Sequence, residues 1–261
     1  MGMDAPRPAL HLALWQTPHP ADSTEALGRL DGAARDAAMH GAHWLITPEM
    51  FLTGYLIDPA QIAARAEPVE GPLIAAVRAI ARRHGIGIVT GWPEAHAGAL
   101  PFNSTAAIDD TGNVLAVHRK IHLFGDGDAQ RFSPGTDAPA LFERRGWRLG
   151  LLICFDVEHD APLQSLAERG AHAVLVPTAN MAGYDDVQQT RLPEAARRFG
   201  LAIAYANACG QEGGTVYNGL STAFGGDGSR VAAAGRAPGL LVAALRPISA
   251  PPSTPPDRTR A

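Results

Sequence analysis

Short apolar runs and amphipathic stretches alternate from the start of the chain, and the alternation predicts the elements. LHLALWQT (10–17) has the length and apolar content of a buried strand. The next stretch, 21–41, carries Leu27, Leu30, Ala34 and Ala38 on one helical face, with Ser23 or Thr24 as N-cap and Gly41 as stop. A second apolar run, His43 to Thr47, ends at Pro48. Leu73, Val77, Ile80 and Ala81 then define a helix over Gly71–His84 that Pro72 starts. IGIVTGW (86–92) is a third strand. Residues 102–124 alternate as a hairpin around Asp110-Thr111-Gly112-Asn113. GDGDAQRFSPGTDAP (125–139) has no periodicity and is expected to be a loop.

The second half follows the same rhythm. A hairpin turns at Arg145-Gly146 and ends at Cys154. Cys154 to Asp160 is polar and precedes Pro162 and a helical LQSLAERG, which predicts a strand-to-helix turn. Strands are expected over 171–180 and 201–210, with a helix over 186–199 broken near Pro193. Residues 219–245 supply the closing strands, with a turn at Gly225–Gly228. From 247 to 261 the chain becomes Pro- and Ser-rich and is expected to be a flexible tail behind a single domain, 1–246. Alternating strands and helices, with hairpins between, give an α/β fold of sheets covered by helices.

Composition narrows the function. Apolar residues make up 46% of the 261, which supports a packed core rather than disorder. A net charge of −4, with no basic field, argues against a nucleic-acid partner. No apolar run approaches the roughly 20 residues of a membrane helix, so no membrane partner is expected. The two cysteines, Cys154 and Cys209, cannot form a disulfide framework or a four-cysteine zinc site, and they suit a reducing, cytoplasmic setting. His118 and His122 flank Lys120 without a third ligand at metal-site spacing, so no metal is expected.

Three chemically capable residues stand just past strands. Glu49 follows WLITP, Lys120 lies in LAVHRKIHLF, and Cys154 follows LGLLI. Strand ends in an α/β sheet converge at one edge, where ligands bind. Together they offer a base, a cation and a thiol, the set that nucleophilic acyl transfer needs. A thiol at the end of a buried strand can attack a carbonyl, and the N–H of Phe155 in the following turn can bind the oxyanion.

PEMFLTGY, FNSTAAID, HRKIHLF, LLICFDVE, VPTANM and YANACGQE resemble, in order, the conserved segments of the nitrilase (carbon–nitrogen hydrolase) superfamily, over residues 9–245. The resemblance implies a four-layer α-β-β-α sandwich, a homodimer or higher homo-oligomer, and no cofactor. It makes Glu49 the general base, Lys120 the oxyanion cation and Cys154 the nucleophile. It also places Tyr55, Phe155, Glu158 and Asn180 against substrate or oxyanion. A second carboxylate, which would orient the lysine or sit against the substrate amide, is common after the lysine, and Asp128 is its best match, with Asp126 second. Two segments depart from the pattern: His159-Asp160-Ala161 after the cysteine motif, and Ala195–Phe199 before YAN. The expected reaction is hydrolysis of a small linear amide to acid and ammonia, in the manner of aliphatic amidases and 5-aminopentanamidases. N-carbamoyl amine hydrolysis and a catalytically silent binding protein are the alternatives. A Glu158 facing the pocket would favour a cationic substrate.

Overall fold

In the computed structural model, which describes residues 7–247, the apolar runs expected to be strands pair mainly into two large sheets. The first half supplies β1 (Leu10–Gln16), α1 (Ser23–Met39), β2 (Trp44–Ile46), α2 (Pro59–Arg65), α3 (Pro72–His84), β3 (Gly87–Glu94), β4 (Phe102–Ile108), β5 (Val114–Arg119) and α4 (Gly125–Ala129). The second supplies β6 (Leu141–Arg144), β7 (Trp147–Leu151), α5 (Asp160–Glu168), β8 (Ala173–Thr178), α6 (Leu192–Phe199) and β9 (Ala202–Asn207). A small hairpin of β10 (Cys209–Glu212) and β11 (Thr215–Asn218) follows, then β12 (Thr222–Phe224), β13 (Arg230–Ala233) and β14 (Gly239–Leu245). One sheet has the order β14-β1-β2-β3-β4-β5 and the other β13-β12-β9-β8-β7-β6.

The layers follow from which residues pack together. Leu10, Leu12 and Leu14 of β1 point at Leu149, Leu151, Ala173 and Leu175 of the other sheet, so the two sheets share an interior. The alternate residue Ala13 packs instead with α1 and α3, through Leu30, Ala34, Val77 and Ile80. On the far side Val174, Val176 and Ile203 pack with Leu163 and Leu166 of α5 and Leu192 of α6. Central strands buried on both faces need near-continuous apolar sequence, which explains the short runs. The result is an α-β-β-α sandwich.

Local chemistry explains most boundaries. Pro72 opens α3, and Gly85 closes it in the left-handed conformation (φ 61°). Asp109 Oδ1 accepts the N–H groups of Thr111 and Asn113 and so shapes the β4–β5 turn. Asp22, rather than Ser23 or Thr24, caps α1 by accepting the Glu25 N–H. The helix expected over 186–199 opens with a π-turn at Val187–Arg191, and α6 starts with Pro193 in its first turn. Two short helices, α2 and α4, lie where no apolar periodicity marks them. The run expected as one strand over 201–210 is split, because β9 ends at Asn207 and Cys209 pairs with β11 instead. The tail expected from 247 lies, Pro247 apart, outside the described residues.

One glycine is required by close packing. A Cβ on Gly91 of β3 would lie 2.8 Å from the Met50 nitrogen and 3.2 Å from the Ser104 oxygen, so the backbone after β2 packs against β3 at a position that leaves no room for a side chain. Gly91→Ala is expected to destabilise the fold by about 1–3 kcal/mol through overpacking. Urea unfolding would read this, and an unchanged midpoint would contradict it.

Candidate functional site

The parallel cores of the two sheets end at the same edge. Glu49 follows β2 and Lys120 follows β5 in one sheet, and Cys154 follows β7 in the other. The Glu49 N–H donates to the Thr178 carbonyl at the end of β8 (3.2 Å), so a backbone hydrogen bond joins the sheets beside the site. Met50 (φ 52°) and Cys154 (φ 44°) both adopt the left-handed conformation. Such a residue costs about 1–2 kcal/mol when it has a side chain. At Cys154 the chain leaves β7 and enters the 3-10 turn Cys154–Glu158 that leads to α5.

Lys120 is buried completely. Its ammonium donates to Glu49 Oε1 (2.8 Å) and to Asp128 Oδ2 (2.8 Å). Asp128 also accepts from the Tyr55 hydroxyl (2.6 Å), the Phe124 N–H (3.0 Å) and Arg131 Nη2 (3.1 Å). Two cations and two carboxylates therefore balance inside the protein. An unpaired buried ion would cost several kcal/mol. Burial alone would lower the Lys120 pKa, but the Glu49 and Asp128 charges outweigh it and hold the ammonium well above its ordinary value. Burial likewise pushes the Asp128 carboxyl up, and Lys120 with its hydrogen bonds pulls it below the usual carboxylate range.

Asn103 Nδ2 donates to the same Glu49 Oε1 (2.7 Å). Glu49 Oε2 is buried and has no hydrogen-bond partner among the described residues. One carboxylate oxygen is thus fixed, and the other is available to take a proton. Burial, followed by the Glu49 charge, raises the Cys154 pKa. Lys120, the Thr178 side chain and the Ala179 N–H act in the opposite direction without reversing it. At rest Cys154 is a thiol, so a base must act as it attacks.

Asp156 ties the lysine segment to the cysteine turn. Its carboxylate accepts the N–H groups of Ile121 (3.1 Å), His122 (2.8 Å) and Ile153 (3.2 Å) and faces His118 Nε2 (3.0 Å) and His122 Nδ1 (3.2 Å). Burial pushes this carboxyl up, but the bonds from His118 and His122 hold it far below the usual range.

A narrow pocket opens at Cys154. Tyr55, Phe124, Phe155, Met181 and Tyr184 give it an aromatic, apolar wall, with Ala179, Asn180 and Glu158 completing it. Four of the five residues expected against substrate, namely Tyr55, Phe155, Glu158 and Asn180, therefore line it. Asp128 does not: it sits behind Lys120 and braces the ammonium. Asp126 is exposed on α4, so of the two it is Asp128 that lies beside Lys120. Glu158 faces the pocket, but Arg191 Nη1 lies 3.0 Å from its Oε2, so its charge is already paired. His122 is hydrogen-bonded to Asp156 and stacks on His159 (centroids 3.8 Å apart). Cys209 is buried away from the pocket, and burial raises its thiol to about 11. Asn103, Asp156 and Thr178 were not singled out from sequence, although each lies in a segment that was.

Residues 11–249 match the model of the carbon–nitrogen hydrolase family. The chain belongs to this family. It is 40% identical over 237 residues to a protein of Pseudomonas protegens named "Hydrolase in pqqF 5'region", covering 90% of this chain and 82% of the relative. It is 34% identical over 193 residues to an (R)-stereoselective amidase of a Pseudomonas species, covering 74% and 69%. The crystal structure of an amidase from a Nesterenkonia species superposes with a TM-score of 0.83 and 34% identity, covering 94% of this chain and 93% of that one. A glutamate-to-glutamine mutant of that amidase carries the acetamide moiety of fluoroacetamide on its active-site cysteine. The sandwich is that of a nitrilase-superfamily protein.

A carboxylate with a depressed pKa stabilises the fold above its unfolded pKa and loses that stabilisation as pH falls through the folded value. Asp156→Asn is expected to cost about 3–5 kcal/mol at pH 7. The gap to the wild-type chain should hold from about pH 7 to 5 and narrow below about pH 4, where the unfolded carboxylate protonates. Unfolding titrations across that range would show it, and a gap independent of pH would contradict this role for Asp156.

Proposed function

We propose that this chain hydrolyses a small uncharged linear amide to carboxylic acid and ammonia, with Cys154 as nucleophile, Glu49 as general base and acid, and Lys120 as the oxyanion's cation. The observation that carries the reading is the division of labour on Glu49. One oxygen is pinned by Lys120 and Asn103, and the other is buried without a partner, beside a thiol at rest.

The steps follow from these charges. Glu49 Oε2 takes the Cys154 proton as the sulfur bonds to the amide carbon. The carbonyl electron pair moves to oxygen, which Lys120 Nζ and the Phe155 N–H stabilise; the first N–H groups of a helical turn have no partner within it. Glu49 passes its proton to the nitrogen, the carbon–nitrogen bond breaks, and ammonia leaves a thioester. Water enters, gives a proton to Glu49 and attacks the thioester carbon. Collapse breaks the carbon–sulfur bond, releases the acid and returns the proton to sulfur. Because Lys120 stays charged throughout, the buried network never carries an unbalanced ion.

The pocket supports an uncharged substrate. Its rings and Met181 suit a short alkyl chain. Arg191 offsets Glu158, so the expectation of a cationic amino amide loses its main support. Lys120 is committed to Glu49 and Asp128, so a carboxylate-bearing carbamoyl amino acid meets no free cation among the described lining residues. Acrylamide and butyramide occupy mutants of the Nesterenkonia amidase, which suits amides of this size. A reducing compartment would keep Cys154 usable.

Ammonia release from butyramide, its ω-amino counterpart, a carbamoyl amino acid and a nitrile tests this. Butyramide is expected to have the highest kcat/KM. Cys154→Ala should reduce turnover by about 10⁴-fold or more, as loss of a nucleophile does, while Cys209→Ala should leave it unchanged. Substantial turnover by Cys154→Ala, or no release from any amide, would refute the assignment.

A further inference from the structure

The mechanism gives no part to His19, to Glu212 or to the small hairpin that carries Glu212, although all three bear on the base. β10 and β11 stand outside both large sheets. Glu212 closes β10, opposite Thr215. Its carboxylate is oriented by its own hairpin, because the Tyr217 hydroxyl donates to Oε2 (2.6 Å). The same carboxylate reaches out of the hairpin, where Oε1 accepts the Tyr55 N–H (2.9 Å). A Cβ on Gly54 would lie 2.9 Å from Oε1, so the missing side chain there leaves room for the carboxylate.

His19 follows β1, and its side chain is only 2% exposed. The Glu49 carbonyl can only accept, so His19 Nε2, 2.9 Å away, carries a hydrogen and donates to it. Nδ1 lies 3.3 Å from Glu212 Oε2, at ion-pair distance but outside hydrogen-bond geometry. The two attract when Nδ1 carries a hydrogen as well. The ring also meets Tyr217 edge-on, with centroids 5.1 Å apart.

Residues 49–55 are therefore gripped at both ends. His19 holds the Glu49 carbonyl, the Thr178 carbonyl holds the Glu49 N–H, and Glu212 holds the Tyr55 N–H. Between the grips the chain turns on itself, and the N–H groups of Thr53 and Gly54 both donate to the Met50 carbonyl (3.2 and 3.0 Å). Such a turn fixes its own shape, while partners outside it fix its place. Both charges of the site hang on that place. Glu49 is its first residue, and Tyr55 is its last, whose hydroxyl donates to Asp128, the brace of Lys120.

We propose that Glu212 and His19 are positioning residues for the reaction, which fix residues 49–55 from outside that segment and so hold the Glu49 carboxylate where it can take the Cys154 proton. Neither lines the pocket, and neither moves a proton. Glu212 acts through His19 on the Glu49 carbonyl and directly on the Tyr55 N–H, so it serves both ends of the segment. The site needs its reach and its bonding at two points, and its negative charge is not the requirement. The inference rests on Glu49 as general base, the reading given under the proposed function.

Ammonia release from butyramide by H19L, H19Q, E212L, E212Q and E212D tests this. In H19L and E212L, kcat is expected to fall about 10- to 100-fold, the scale of a misplacement of about 1 Å, with KM within about threefold of the wild type. H19Q should restore kcat, because a glutamine amide nitrogen can donate to the Glu49 carbonyl. E212Q should restore it too: its oxygen can accept the Tyr55 N–H, and its nitrogen can donate to Nδ1 of a neutral His19. E212D keeps the charge but draws the carboxylate back by one methylene, and it should be impaired as E212L is. The rate at which iodoacetamide alkylates Cys154 near neutral pH, in a Cys209→Ala background, should follow the same order without any amide substrate. H19L and E212L unchanged in both assays would overturn the proposal. So would glutamine variants as impaired as the leucine variants, or E212D active where E212Q is not, which would make charge the requirement. H19L leaves the hairpin intact and E212D removes one methylene, so these two decide even if E212L fails to fold. If Cys154→Ala retained turnover, the functional reading itself would fail, whatever these variants showed.

Discussion

Everything at the site depends on keeping one lysine charged where water cannot reach it. A buried ammonium without partners would give up its proton rather than pay the desolvation cost. Lys120 avoids this because Glu49 and Asp128 each lie 2.8 Å away. The second carboxylate would itself be in excess, and Arg131 answers it. This balance also explains why Asp128 turns away from the pocket. In the proposed reaction it keeps Lys120 paired while Glu49 holds a proton.

The fold brings the thiol to this balance by stacking two sheets, each covered by helices, face to face with their strand ends at a common edge. Glu49 and Lys120 belong to one sheet, and Cys154 and Thr178 to the other. The site is therefore only as well aligned as the sheets are with each other. Alternating residues of β1 and β8 lock the inner faces together. At the edge, the bond from Glu49 to Thr178 and the Asp156 contacts on both segments set the spacing. Strain at Met50 and Cys154 is tolerated because these neighbours over-determine the backbone.

Much of this was legible in the chain. Apolar runs of strand length marked the sheets, and an abrupt change from LGLLI to CFDVE marked the nucleophile turn. Glu49, Lys120 and Cys154 stood out because each followed such a run. What stayed hidden depends on three-dimensional partners. The α2 and α4 helices are too short to show a period. Glu158 was visible as a charge, but its partner Arg191 is 33 residues away and comes near only through the π-turn before α6. Asp128 was already the better match than Asp126, and burial decides between them. Thr178 and Tyr205 read as ordinary strand residues, since nothing local says that their hydroxyls meet.

The account requires that the carbon skeleton of the substrate be held on one sulfur after the nitrogen has left. Rapid acid quench of the wild-type protein during turnover of butyramide, followed by peptide mass spectrometry, would look for that species directly. The expected result is a butyryl group on the peptide containing Cys154, lost on treatment with hydroxylamine, as a thioester should be. Turnover without any acyl group on Cys154, with water reaching the amide directly or with the acyl group on another side chain, would contradict the central claim.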